Sequence, residues 1–186
     1  MQKSLRSFAK PQVLTLLAIM IALQVVTRLL TINVAAWLRI SFTFLPIAAA
    51  SMLLGPVHGA LVGGLGDVVS FFVIPTGGSY FPGFTITNVV IGLIYGLFLH
   101  RKYKDFSFAS KAVWLRLLVC ELIITVVCYL LLNTYWLSIL QGKAFIALFP
   151  VRLAKNVAQL PVNALLLMEI GLLFKRMPSS LRMFEA

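Results

Sequence analysis

Long apolar runs separated by short polar punctuation set the pattern of this chain. Six runs stand out, over residues 12–34, 42–54, 57–74, 82–99, 112–136 and 149–174. Most approach the ~20 residues that a helix needs to cross the hydrocarbon of a bilayer. The run over 42–54 is short and carries Pro46. Gly55-Pro56 reads as a tight connection, and Pro75-Thr76-Gly77-Gly78-Ser79-Tyr80-Phe81 as a turn-rich loop. Pro82 is well placed for a first helical turn. The pattern predicts an all-α integral membrane protein, a six-helix transmembrane bundle forming one domain over 1–186. Met1 to Pro11 followed by an apolar run mimics a signal peptide. The run is too long for that and no convincing cleavage site follows, so it reads as the first span.

Polar residues inside the runs are few, and they are ordered. In the last span Arg152, Lys155, Asn156, Gln159 and Asn163 fall at i, i+3, i+4, i+7 and i+11, on one helix face about 100° wide. In the first span Gln24, Thr27, Arg28 and Thr31 repeat the spacing i, i+3, i+4, i+7. Charges at such depth are costly and face a cavity or a partner. Snorkelling would explain either cation of the last span, but not the amides that continue down the same face. Only Asp67, Glu121 and Glu169 lie within spans as acids, so the cavity is expected to be cationic and to take an anion. Asp67 is expected to hydrogen-bond within the bundle. Gly59-x3-Gly63 and Gly92-x3-Gly96 predict close helix packing.

Composition agrees with lipid as the solvent. The chain is 61% hydrophobic and its mean hydropathy is +1.00, where a soluble domain would be about half apolar. The net charge of +11 could suggest nucleic acid, but the cations sit between apolar runs and read as topology signals. Lys3, Arg6, Lys10, Arg101, Lys102, Lys104, Lys111, Arg116, Lys175, Arg176 and Arg182 fall on one side. Arg28, Arg39, Lys143, Arg152 and Lys155 are the others. The positive-inside rule puts both termini and the richer side in the cytoplasm.

Aromatic residues crowd the opposite edge: Trp37, Tyr80, Phe81, Phe84, Tyr135, Trp136 and Phe149. An interfacial belt accounts for Tyr135 and Trp136. Tyr80 and Phe81 differ, because their loop is glycine-rich and adjoins the expected cavity. Rings over a cationic pocket suit a planar heteroaromatic ligand bearing carboxylates. His58 and His100 are expected at the cytoplasmic interface. Cys120 and Cys128 lack metal or redox spacing and are expected to be reduced. No phosphate-binding loop, zinc-protease motif or nucleophile elbow occurs, and no cofactor or metal is implied.

Several segments together resemble a known family. They are Arg39-Ile-Ser-Phe-x-Phe-Leu-Pro46, Leu54-Gly-Pro56-x2-Gly59, Gly63-x2-Gly66-Asp67, Pro82-Gly-Phe-Thr85, Phe149-Pro-Val-Arg152 and Ala18-x3-Ala22. In order and spacing the chain resembles the substrate-binding S components of energy-coupling factor (ECF) transporters, the vitamin importers of prokaryotes. Pro-Gly-Phe-Thr and the Arg-x2-Lys-Asn of the last span make it most similar to the folate-specific members.

The resemblance implies a multi-pass protein of the cell membrane that binds folate or a related vitamin. It also implies a transmembrane coupling protein and two cytoplasmic ATPases as partners, so the chain itself is no enzyme. In this reading Arg28, Arg152 and Lys155 would hold carboxylates or polar ring edges. Tyr80, Phe81 and Phe84 would cover the rings, Asn88, Asn156 and Gln159 would supply hydrogen bonds, and Trp37 and Thr85 would belong to the same site. Ala18 and Ala22 would dock the coupling protein. Alternatives are an S component for pantothenate or riboflavin, and a stand-alone secondary transporter. Small size and the lack of an inverted repeat count against the latter.

Overall fold

The computed structural model describes residues 11–30, 32–35, 38–74, 80–100, 102–142 and 145–176. Lys3, Arg6, Lys10, Thr31, Trp37, the loop 75–79, Arg101, Lys143 and Arg182 lie outside the described residues. Six helices form the bundle: α1 Pro11–Leu29, α2 Phe44–Leu54, α3 Pro56–Val73, α4 Pro82–Leu99, α5 starting at Lys111 and ending at Gln141, and α6 Phe145–Arg176. Five of them are long and apolar enough to cross a membrane. α3 and α4 each begin on a proline, whose missing N–H costs nothing at a helix start.

The exception is α2. Its 11 residues span about 16 Å, roughly half a hydrocarbon core. Phe44 and Pro46 to Met52 are all buried. Other helices surround α2, so it has no need to match the bilayer thickness.

Three features depart from the sequence expectation. α1 ends at Leu29, short of residue 34, because the chain turns into a two-stranded antiparallel hairpin. β1 (Ile32–Ala35) pairs with β2 (Leu38–Ile40), Ile32 opposite Ile40 and Asn33 opposite Arg39. Second, α5 is not uniform. It is α-helical to Ile123, a π-helix over Ile124–Leu132, and α-helical again over Asn133–Gln141. Third, α6 starts at Phe145 and contains Pro150 and Pro161, each of which removes one backbone hydrogen bond from the helix.

The bundle has two ends. One, called the base here, holds Gly55, where the His100 ring lies 3.4 Å from the space a β-carbon would occupy. Lys175 Nζ donates to the Phe106 carbonyl at the base, at 2.9 Å. The other end, the rim, holds Arg28, Tyr80, Phe81 and Trp136. Helix directions alternate, so Pro11 and Arg176 both lie at the base.

α3 and α4 form the tightest pair. A methyl group at Gly92 would collide with the backbone of Gly59, and one at Gly59 with Ser51. The Ser51 hydroxyl lies 2.7 Å from the Ile47 carbonyl and 3.0 Å from that of Gly92, tying α2 to α4. This is close packing through small residues, the usual substitute for a hydrophobic driving force in lipid.

The outer face is apolar, and several polar side chains join the hydrophobic core inside. Leu14, Ile19, Leu23, Val26 and Leu29 are exposed on α1, while Gln24 and Thr27 are buried. On α6, Leu153, Val157, Val162 and Leu165 are exposed, while Asn156 and Asn163 are buried. Both polar stripes face the bundle interior, as their cost in lipid requires. Cys120 and Cys128 are buried and unbridged.

Candidate functional site

The residues singled out from sequence fall into two groups in space. The first gathers at the rim between α1, α3 and α4. Arg28 Nη1 lies 3.7 Å from Asp67 Oδ1, with both side chains largely shielded. The other carboxylate oxygen, Oδ2, accepts from the Thr85 hydroxyl at 2.7 Å. Thr85 is in turn 2.7 Å from the Tyr80 hydroxyl. Tyr80 packs its ring against Phe71, with centroids 5.3 Å apart, and stacks on Phe72 at 6.2 Å. Arg28 is therefore not a bare cation: Asp67 compensates its charge and Thr85 orients the carboxylate. Asp67 has the bundle-internal role expected for it.

An aromatic cluster continues from there. Phe81 meets Phe84 edge-on at 5.8 Å and Trp136 at 5.7 Å. Trp136 Nε1 donates to the Thr87 hydroxyl at 3.2 Å. The Gly83 backbone sits so close beneath Phe81 and Trp136 that a β-carbon there would strike both rings. The interfacial belt expected for Tyr135 and Trp136 therefore holds only for Tyr135, which is 53% exposed. Trp136 is half-buried and turns inward to Phe81 and Thr87, following the π-helical stretch that ends at Leu132.

The second group lies along α6. Arg152, Lys155 and Gln159 are half-buried, and Asn156 is buried. Gln159 Nε2 lies 3.5 Å from Asn163 Oδ1, and Asn163 Nδ2 donates to Glu121 Oε2 at 3.3 Å. The other Glu121 oxygen accepts from the Tyr95 hydroxyl at 2.5 Å. Glu121 and Tyr95 are fully buried and Asn163 nearly so. This cluster was not singled out from sequence, since an isolated Glu in an apolar run carries no spacing signal. Asn88 is half-buried and its backbone lies against Gly63. Trp37 lies outside the described residues.

Two expectations away from the site resolve differently. His58 is buried in the first turn of α3, 3% exposed and covered by neighbouring helices. Ala18 and Ala22 are exposed on α1, on the side away from Gln24 and Thr27.

The bundle thus carries an inward polar stripe with two cations on α6 and an aromatic cluster at its rim. Residues 12–171 match the family described as ECF transporter, substrate-specific component. The chain belongs to that family. It is thus the substrate-specific subunit of a transporter and not an enzyme.

Individual relatives agree. This S component is 39% identical over 159 residues to a protein of Clostridium novyi named "Folate transporter FolT", covering 85% of this chain and 87% of that one. A protein of the same name from Leuconostoc mesenteroides is 28% identical over 172 residues, covering 88% of each chain. The fold of the S component is similar to that in "Crystal structure of FolT bound with folic acid", with a TM-score of 0.73 and 30% identity. The likeness covers 87% of this chain and 95% of the other. The expectation of an ECF S component of six-helix type, read from sequence, stands.

Proposed function

We propose that this S component is the folate-binding subunit of an ATP-driven ECF importer. The supporting observation is the inward stripe of Arg152, Lys155, Asn156 and Gln159 on α6, in a bundle whose rim gathers Phe81, Phe84 and Trp136. The similarity to proteins named for folate transport supports the choice of ligand. Folate combines a flat heteroaromatic ring with a dicarboxylate tail. Rings stack on rings, and guanidinium or ammonium groups hold carboxylates. Arg152 and Lys155 supply the cations, with Arg28 held ready by Asp67. Thr85, Asn88, Asn156 and Gln159 read polar edges.

The positive-inside asymmetry gives the orientation of this proposal: the rim opens outward and both termini are cytoplasmic. The partners are a transmembrane coupling protein and two cytoplasmic ATPases, in a prokaryotic cell membrane. Ala18 and Ala22 form the docking face for the coupling protein, since a small-residue surface permits close approach of another helix in lipid.

Mass spectrometry of small molecules released from purified protein tests the ligand. Recovery of a folate is expected. Recovery of pantothenate or riboflavin, with no measurable binding of added folic acid, would overturn the reading.

A further inference from the structure

The buried carboxyl of Glu121 is unused by the site as described. It sits in mid-bundle, where an ionisable side chain costs several kcal/mol unless hydrogen bonds or neutralisation offset its desolvation. Its two oxygens are separately engaged, by Tyr95 of α4 at 2.5 Å and Asn163 of α6 at 3.3 Å. A π-helix begins three residues later, at Ile124. Such stretches are frequent at functional sites.

The hydrogen-bond directions matter. An amide has a donor end and an acceptor end. Asn163 turns its Nδ2 to Glu121, so its Oδ1 faces Gln159. Gln159 then turns its Nε2 to that oxygen, at 3.5 Å. This leaves the Gln159 Oε1 acceptor for whatever lies on its other side. The orientations of Asn163 and Gln159 are thus linked to Glu121 in series.

We infer that Glu121 is a positioning residue for ligand specificity: through Asn163 it holds Gln159 with its carbonyl oxygen toward the ligand, so that the site selects a ring edge that donates a hydrogen bond. The inference rests on the folate reading above and places Gln159 against the heterocycle. The oxo form of the pterin ring offers a donor N–H at position 3. The 4-amino analogue of folic acid has an acceptor nitrogen there and a donor amine in place of the acceptor carbonyl. The two ligands are otherwise alike in shape and charge.

Glu121→Gln tests the inference. Gln at this position keeps an acceptor for Tyr95 and turns an NH2 toward Asn163. Asn163 and then Gln159 must flip, and Gln159 presents its NH2 to the ligand. The dissociation constants of folic acid and of its 4-amino analogue are measured on wild type and variant. The ratio is expected to move toward the 4-amino analogue by at least about tenfold, the scale of one mismatched buried hydrogen bond. Tyr95→Phe removes a donor without reversing the row, so its ratio is expected to stay at the wild-type value. Equal weakening of both ligands by Glu121→Gln, or no change in either, would overturn the inference and leave the folate reading intact. Failure of wild type to bind folic acid would overturn the folate reading, and the inference with it. If Glu121→Gln cannot be recovered folded, Asn163→Leu serves instead. It frees Gln159, and the ratio should approach one; an unchanged ratio would again overturn the inference.

Discussion

Arg28 on α1 meets Asp67 on α3 at 3.7 Å, with each side chain about one-sixth exposed, at 17% and 16%. The pair changes the electrostatics expected of the site. Of the three cations in the proposed site, Arg28 already has a carboxylate partner before any ligand arrives. Asp67→Asn removes the compensation. The ligand-free protein is expected to lose about 1–3 kcal/mol, less than a fully buried pair would lose because this one is partly solvated. Added folic acid should raise the melting temperature of the variant more than that of wild type, because a ligand carboxylate replaces the missing charge. Equal shifts by thermal melting in detergent would show that Arg28 does not reach the ligand.

Arg152→Ala should weaken folic acid binding by more than about tenfold, or about 1.4 kcal/mol, the scale of a lost charge-assisted hydrogen bond. Titration calorimetry on the purified subunit measures it. Unchanged affinity would remove Arg152 from the site, and preference for a cationic vitamin would defeat the charge argument altogether.

Trp136 packs on Phe81 and donates to Thr87. A stacked heterocycle at this roof should quench its fluorescence. Trp136→Phe is expected to abolish most of the quenching that folic acid causes in wild type. Quenching of the same depth in the variant would place the ligand elsewhere.

How far the sequence could be read depends on the kind of signal. The α6 stripe was legible because its polar residues recur at helical spacing in an apolar background, and only an inward face can hold them cheaply. The Gly59 and Gly92 contact was legible because small residues four apart have few other uses in lipid. Trp136 was misread for a geometric reason. It follows the π-helical stretch Ile124–Leu132, and ITVVCYLLL is as apolar as any ordinary span. The Glu121–Tyr95 pair was hidden because its members lie 26 residues apart; only the fold brings them together. The hairpin β1–β2 was hidden because INVA extends the apolar run of α1 without a break.

Orientation is tested by labelling. Single cysteines at Ser79 and Ser107, introduced with Cys120 and Cys128 replaced, should react from opposite sides of intact cells. Ser79 should label from outside and Ser107 only after permeabilisation. Labelling of both from outside would sink the assigned topology.

The docking role proposed for α1 has its own test. Ala18→Trp or Ala22→Trp should leave folic acid binding by the isolated subunit nearly unchanged, since both positions are exposed on the side away from Gln24 and Thr27. ATP-driven uptake by the assembled transporter should be abolished. Loss of binding together with uptake would mean that the alanines pack within the bundle instead.

The shortness of α2 bears on how the protein is made. A segment of 11 residues is too brief for the membrane-insertion machinery to retain as an independent span. Its flanks are α1 on one side and α3 on the other, and the partner to which Ser51 is tied, α4, has not yet been synthesised when α2 emerges. The final packing of α2 is therefore completed only once α4, which carries Gly92, is in place beside α3. A substitution that separates Gly59 from Gly92 should consequently act first on assembly, as protein degraded before it reaches its native state, rather than on the affinity of the molecules that survive.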